Sequence, residues 1–112
     1  MRNFLILLLF IPTLIFCQTK ISFIEQNREF TISTNGGFEY SILSGDYISR
    51  NYSGNPTKVG PVYISYNYSG RPTKIGSVYI SYNYSGRPTK IGGLYISYDY
   101  SGRVTRTSGS VK

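Results

Sequence analysis

From Ile48 onward, apolar and polar residues alternate in short runs that stop and restart every 16 residues. In Val62-Tyr63-Ile64-Ser65-Tyr66-Asn67-Tyr68, one side carries Val62, Ile64, Tyr66 and Tyr68, and the other Tyr63, Ser65 and Asn67. That period of two predicts a half-buried β-strand. Ser69-Gly70-Arg71-Pro72 stops it: glycine accepts a positive φ, proline fixes φ and has no N–H, and Arg71 is pushed towards extended geometry. A short strand, Thr73-Lys74-Ile75, follows, and Gly76-Ser77 returns the chain into Val78. Sixteen residues therefore make one β-hairpin, recurring over 48–63, 64–79, 80–95 and 96–107 with a short tail to residue 112.

Ahead of the repeats, Lys20–Glu25, Glu29–Thr34 and Phe38–Leu43 read as less regular strands, with Asn35-Gly36-Gly37 as a hairpin turn. The expected architecture is all-β, an antiparallel meander of tandem 16-residue hairpins with about nine to eleven strands. Equivalent residues of successive hairpins would lie two strands, or about 10 Å, apart. Rows of Tyr66, Tyr82 and Tyr98, and of Tyr68, Tyr84 and Tyr100, would share the apolar side with Ile64, Ile80 and Ile96. That side needs a cover. The sheet could curl into a small barrel, the N-terminal strands (18–47) could fold back as a second layer, or two molecules could stack.

No helix is expected beyond the first 17 residues. Phe4–Phe16 is an apolar run behind Arg2, too short for the roughly 20 residues of a membrane span, and reads as a secretory signal peptide. Cleavage between Cys17 and Gln18 is favoured over lipid attachment at Cys17, because bulky Phe16 does not suit a lipoprotein site. The expected mature chain is exported, to periplasm, cell surface or medium, without a cysteine or a transmembrane span. Charge divides with the repeats. Residues 18–47 hold Lys20 and Arg28 against four carboxylates, whereas 48–112 hold nine Lys and Arg against Asp99 alone.

Tyr98-Asp99-Tyr100-Ser101-Gly102-Arg103-Val104-Thr105 resembles the YD repeat of Rhs-type proteins, Tyr-Asp-x-x-Gly-Arg-Leu-Thr. Tyr82-Asn83-Tyr84-Ser85-Gly86-Arg87-Pro88-Thr89 and Tyr66-Asn67-Tyr68-Ser69-Gly70-Arg71-Pro72-Thr73 follow it more loosely. The first copy has Arg50 in place of the tyrosine and Asn55 in place of the arginine. The resemblance implies β-hairpins winding into a strip or shell. The chain also resembles small exported bacterial proteins with tandem Tyr-Gly-Arg-Lys-Ile-Gly repeats. Neither resemblance implies catalytic residues.

The residues themselves offer little chemistry for catalysis. The chain has no histidine or tryptophan, and its five carboxylates do not follow the repeat. General acid–base and metal sites draw on the residues it lacks; no catalytic, cofactor or metal site is expected. Ser65 and Lys74 could be neighbours across a hairpin, but an active site is rarely built three times over. The candidate surface is Tyr63, Tyr79 and Tyr95 with Lys58, Lys74, Lys90, Asn67 and Asn83. Aromatic rings with cations suit an anionic envelope glycan such as acidic polysaccharide or peptidoglycan; no specific nucleic acid is expected. The alternatives are a structural module whose tyrosines serve as cross-strand pairs, or a fibre built from copies of the chain.

Overall fold

The computed structural model describes residues 19–112; the expected signal peptide and Cys17 lie outside them. Eleven strands follow in order among the described residues: β1 (Lys20–Glu25), β2 (Arg28–Ser33), β3 (Phe38–Tyr40), β4 (Ile48–Arg50), β5 (Pro56–Val59), β6 (Val62–Tyr66), β7 (Pro72–Ile75), β8 (Val78–Tyr82), β9 (Pro88–Ile91), β10 (Leu94–Tyr98) and β11 (Val104–Ser108). β1–β3 form a three-stranded sheet, and β4–β11 an eight-stranded antiparallel meander in sequence order. Among the described residues the fold is all-β, without a closed barrel. Two strand ends differ from expectation: β3 stops at Tyr40, leaving Ile42 and Leu43 exposed, and the short strands begin at proline.

Two turn chemistries alternate along the large sheet. The tight turns Gly60-Pro61, Gly76-Ser77 and Gly92-Gly93 have a positive φ only at their first residue, for example 59° at Gly76. This is the two-residue hairpin turn that demands glycine first. At the other end, the Asn67 N–H donates to the Arg71 carbonyl and the Gly70 N–H to the Asn67 carbonyl, with Gly70 at φ 82°. Between the turns, Tyr66 faces Pro72 while Ser65 faces Lys74, so Thr73 is an extra residue in the short strand. This bulge lets Pro72 and Ile75, three apart, both point inwards.

Each long strand changes partner midway. Val62 and Tyr63 pair back with Val59 and Lys58, whereas Ile64, Ser65 and Tyr66 pair forward with Ile75, Lys74 and Pro72. Successive hairpins therefore slip by two residues, about 7 Å along the strand, while advancing about 10 Å across it. Equivalent residues stand about 12 Å apart on a diagonal, not about 10 Å in a straight row.

The small sheet is the cover. Phe23, Phe30 and Ile32 form one buried cluster with Val59, Val62, Ile64, Ile75, Val78, Ile80, Ile91 and Ile96. Each such side chain contributes about 1.5–3 kcal/mol through burial. The N-terminal strands thus fold back as a second layer. Tyr66, Tyr82 and Tyr98 pack against this cluster, and each hydroxyl donates to a proline carbonyl of the preceding hairpin: Pro56, Pro72 (2.6 Å) and Pro88. Tyr68, Tyr84 and Tyr100, expected beside them, are instead fully exposed, because the strand has ended at Tyr66.

Polar anchors fix the small sheet on the large one. Glu25 is buried against the second tight turn, where it accepts from the Ser77 N–H (3.2 Å) and hydroxyl (2.9 Å) and pairs with Lys112. The corresponding positions in the neighbouring turns are Pro61, with neither an N–H nor a hydroxyl, and Gly93, without a hydroxyl, so of the three only Ser77 offers the carboxylate both donors. Arg28 forms a two-pronged pair with Asp46 beside Gly60. Val111 joins the core cluster, and its carbonyl accepts from the Gly93 N–H at 3.2 Å.

Two pH dependences follow. Burial raises the Glu25 pKa, but bonds from Lys112 and Ser77 more than offset this and hold it below the usual 4.5. A lowered folded pKa adds stability above pH 4.5 that disappears as pH falls through the folded value. Glu25→Ala is expected to lose about 2 kcal/mol at neutral pH and to show a shallower acid limb in urea unfolding. An unchanged acid limb would remove Glu25 as its source. At the alkaline end, burial pushes Tyr66 and Tyr98 up to about 12 and Tyr82 higher still. Their contribution is complete below the ordinary value of 10 and is lost as pH rises towards 12, because a phenolate cannot donate. The urea midpoint should fall over that interval, and less so in Tyr82→Phe.

Candidate functional site

The outward side of the large sheet is built by cross-strand pairing. Lys58 faces Tyr63, Lys74 faces Tyr79 and Lys90 faces Tyr95 across the tight turns. Each ammonium sits over its partner's ring, with Nζ 5.2, 5.2 and 5.5 Å from the ring centre. At exposed sites such a contact is worth about 0.5–1 kcal/mol. The rings stay open, at 66%, 61% and 54% exposure. The structure thus joins six of the residues singled out in the sequence into three equivalent pairs on the 12 Å diagonal.

Ser65 also faces Lys74, as Ser81 faces Lys90. Each row across the sheet therefore reads serine, lysine, tyrosine. Lys74 directs its ammonium to the Tyr79 ring. A cleft of about 650 Å³ is lined by Tyr63, Tyr79, Lys74, Gly76 and Glu25. A flat ring could lie between the two tyrosines with an anionic group at Lys74. Among the described residues, no three His, Cys, Asp or Glu side chains converge to hold a metal ion.

Asn67 and Asn83 have a different task. They stand at the loop end, four residues or about 13 Å along the strand from Tyr63 and Tyr79. The Asn67 Oδ1 accepts from the Ser69 and Arg71 N–H groups, both at 3.0 Å, and the Asn83 Oδ1 from the Arg87 N–H. Asp99 holds the same place in the last loop, accepting from Ser101 and Arg103. The Ser101 hydroxyl, then the backbone N–H groups, keep its carboxyl below the ordinary range. Asp99 is thus a turn acceptor, which explains why asparagine takes the same place in the other copies.

Tyr52, Tyr68, Tyr84 and Tyr100 form a second aromatic row at the tips of these loops, all fully exposed. Strand alternation placed Tyr68, Tyr84 and Tyr100 inside. The signal that decides it is the asparagine: a side chain that caps its own turn ends the strand at Tyr66, two residues short of Tyr68. Compared with protein-family models, curated proteins and solved structures, the chain finds no match.

The Asn67 assignment is checked by a pair of variants. Asn67→Asp retains the acceptor and should leave the melting temperature nearly unchanged, whereas Asn67→Ala should cost about 1 kcal/mol. Equal losses in both would mean that the amide NH₂ matters instead.

Proposed function

We propose that the chain is an exported, non-catalytic binding module of the bacterial envelope, which presents its stepped tyrosine–lysine pairs to an extended anionic glycan. The observation that carries this reading is the threefold recurrence of the same exposed pair at a fixed step. A single pair on an open surface binds weakly. Three in line gain by multivalency when the ligand is itself a repeating polymer. Sugar rings offer flat faces for tyrosine to stack on, and carboxylate or phosphate substituents meet the lysines. The charge of the repeats acts in the same direction: the module is strongly basic where the pairs stand.

Export rests on the apolar run Phe4–Phe16, and the envelope setting on the resemblance to small exported repeat proteins. A purely structural role for the pairs is the rival outcome. Replacing Tyr79 and Tyr95 with serine should abolish retention on an acidic polysaccharide matrix while circular dichroism and melting show an intact fold. Retention of the parent should also weaken with salt, because its charged contacts are surface ones. Undiminished retention of the folded double variant would reduce the pairs to sheet stabilisers.

A further inference from the structure

Neutral positions separate the tyrosine–lysine pairs, and they recur as regularly as the pairs do. Ser65 on β6 faces Lys74, Ser81 on β8 faces Lys90, and Ser97 on β10 faces Arg106. The three serines and Arg106 are exposed. Each serine stands two residues, about 7 Å, beyond the outward tyrosine of its own strand. It therefore lies between the pair that contains that tyrosine and the cation of the next short strand. Along the diagonal, a cation–ring pair alternates with a lone hydroxyl, and Arg106 continues the series of cations by one more step.

The spacing has a chemical meaning. Cations recur at the full step of about 12 Å, and half of it, about 6 Å, is close to the length of one pyranose unit in an extended chain. Two sugars thus fill the interval between one lysine and the next, and only one of them meets a cation. The cleft gives the same count. Among the described residues that line it, Lys74 is the one cation and Glu25 the one carboxylate. The Glu25 oxygens already accept from Ser77 and pair with Lys112. A carboxylate accepts but does not donate, so a second anionic group in the cleft would meet a like charge and no donor.

We propose that this face selects an acidic glycan whose negative charge falls on every second sugar. The charged sugar sets its carboxylate on the lysine of a pair, and the neutral sugar between two pairs hydrogen-bonds the serine. A chain charged on every sugar would bring its extra carboxylates over Ser65 and Ser81, away from the ammonium groups. Charge density alone favours the opposite order, because a denser polyanion is drawn more strongly to a basic surface. This inference rests on the glycan reading and adds the register of charge along the polymer.

Isothermal titration of the parent chain against three polymers of equal length tests it. Hyaluronate carries a carboxylate on every second sugar, β-linked polyglucuronate on every sugar, and carboxyl-reduced hyaluronate on none. Hyaluronate should bind several-fold more tightly than polyglucuronate, and the reduced polymer should not bind measurably. Ser65→Lys combined with Ser81→Lys adds cations between the pairs and should reverse the order of the two acidic polymers, with circular dichroism showing an intact fold. Equal or tighter binding of polyglucuronate by the parent would overturn the alternating charge and leave the glycan reading standing. A folded double variant that keeps the order of the parent would also overturn it. Binding of neither acidic polymer would overturn both readings.

Discussion

A 16-residue hairpin with one apolar side cannot cover that side by itself. Everything else in the molecule follows from the way this is met. Stacking hairpins extends the apolar surface without closing it, and a twisted meander of eight strands still presents Val, Ile and half-buried Tyr on one face. The three N-terminal strands supply the lid through Phe23, Phe30 and Ile32. The irregular part of the chain therefore completes the core of the repetitive part.

Because the cover lies entirely on one side, the other side is free to be a display surface. Its form comes from the midway change of partner in every long strand. A strand shared between two neighbours imposes a slip of two residues at each hairpin, which turns straight rows of equivalent residues into diagonals. The tight turn places each lysine above the tyrosine of the next long strand, and the slip staggers Tyr63 and Tyr79, which line one cleft. Inward, it brings each buried tyrosine hydroxyl to the proline carbonyl of the preceding hairpin. Surface and core thus share one geometric origin.

Repetition also creates an ambiguity of placement, since a lid that fits one hairpin could fit the next. Departures from the repeat resolve it. Ser77, rather than proline or glycine, receives Glu25, and Asp46, where later repeats have valine or leucine, receives Arg28. A buried carboxylate without its donors is costly, and shifting the lid by one hairpin would set Glu25 opposite Pro61, which has neither donor, or Gly93, which lacks the hydroxyl. The irregular residues in the copies give the assembly its single register.

The sequence by itself determined the all-β class, the 16-residue hairpin, its two alternating turns and the identity of the tyrosine–lysine surface. These are local properties: alternation selects a face, and glycine, proline and asparagine select backbone geometry within a few residues. It was less decisive at strand ends. The inward placement of Tyr68, Tyr84 and Tyr100 failed because a capping side chain overrode the alternation, and the strand starts moved to proline because a bulge let Pro72 and Ile75 share a side. Asn67 and Asn83 belong to the loops for the same reason. Only the tertiary structure decided that the N-terminal sheet, rather than barrel closure, covers the core, and that neighbouring hairpins slip by two residues. Both depend on pairings between distant segments, where the outcome is fixed by which surfaces and buried charges can be satisfied together rather than by any local preference.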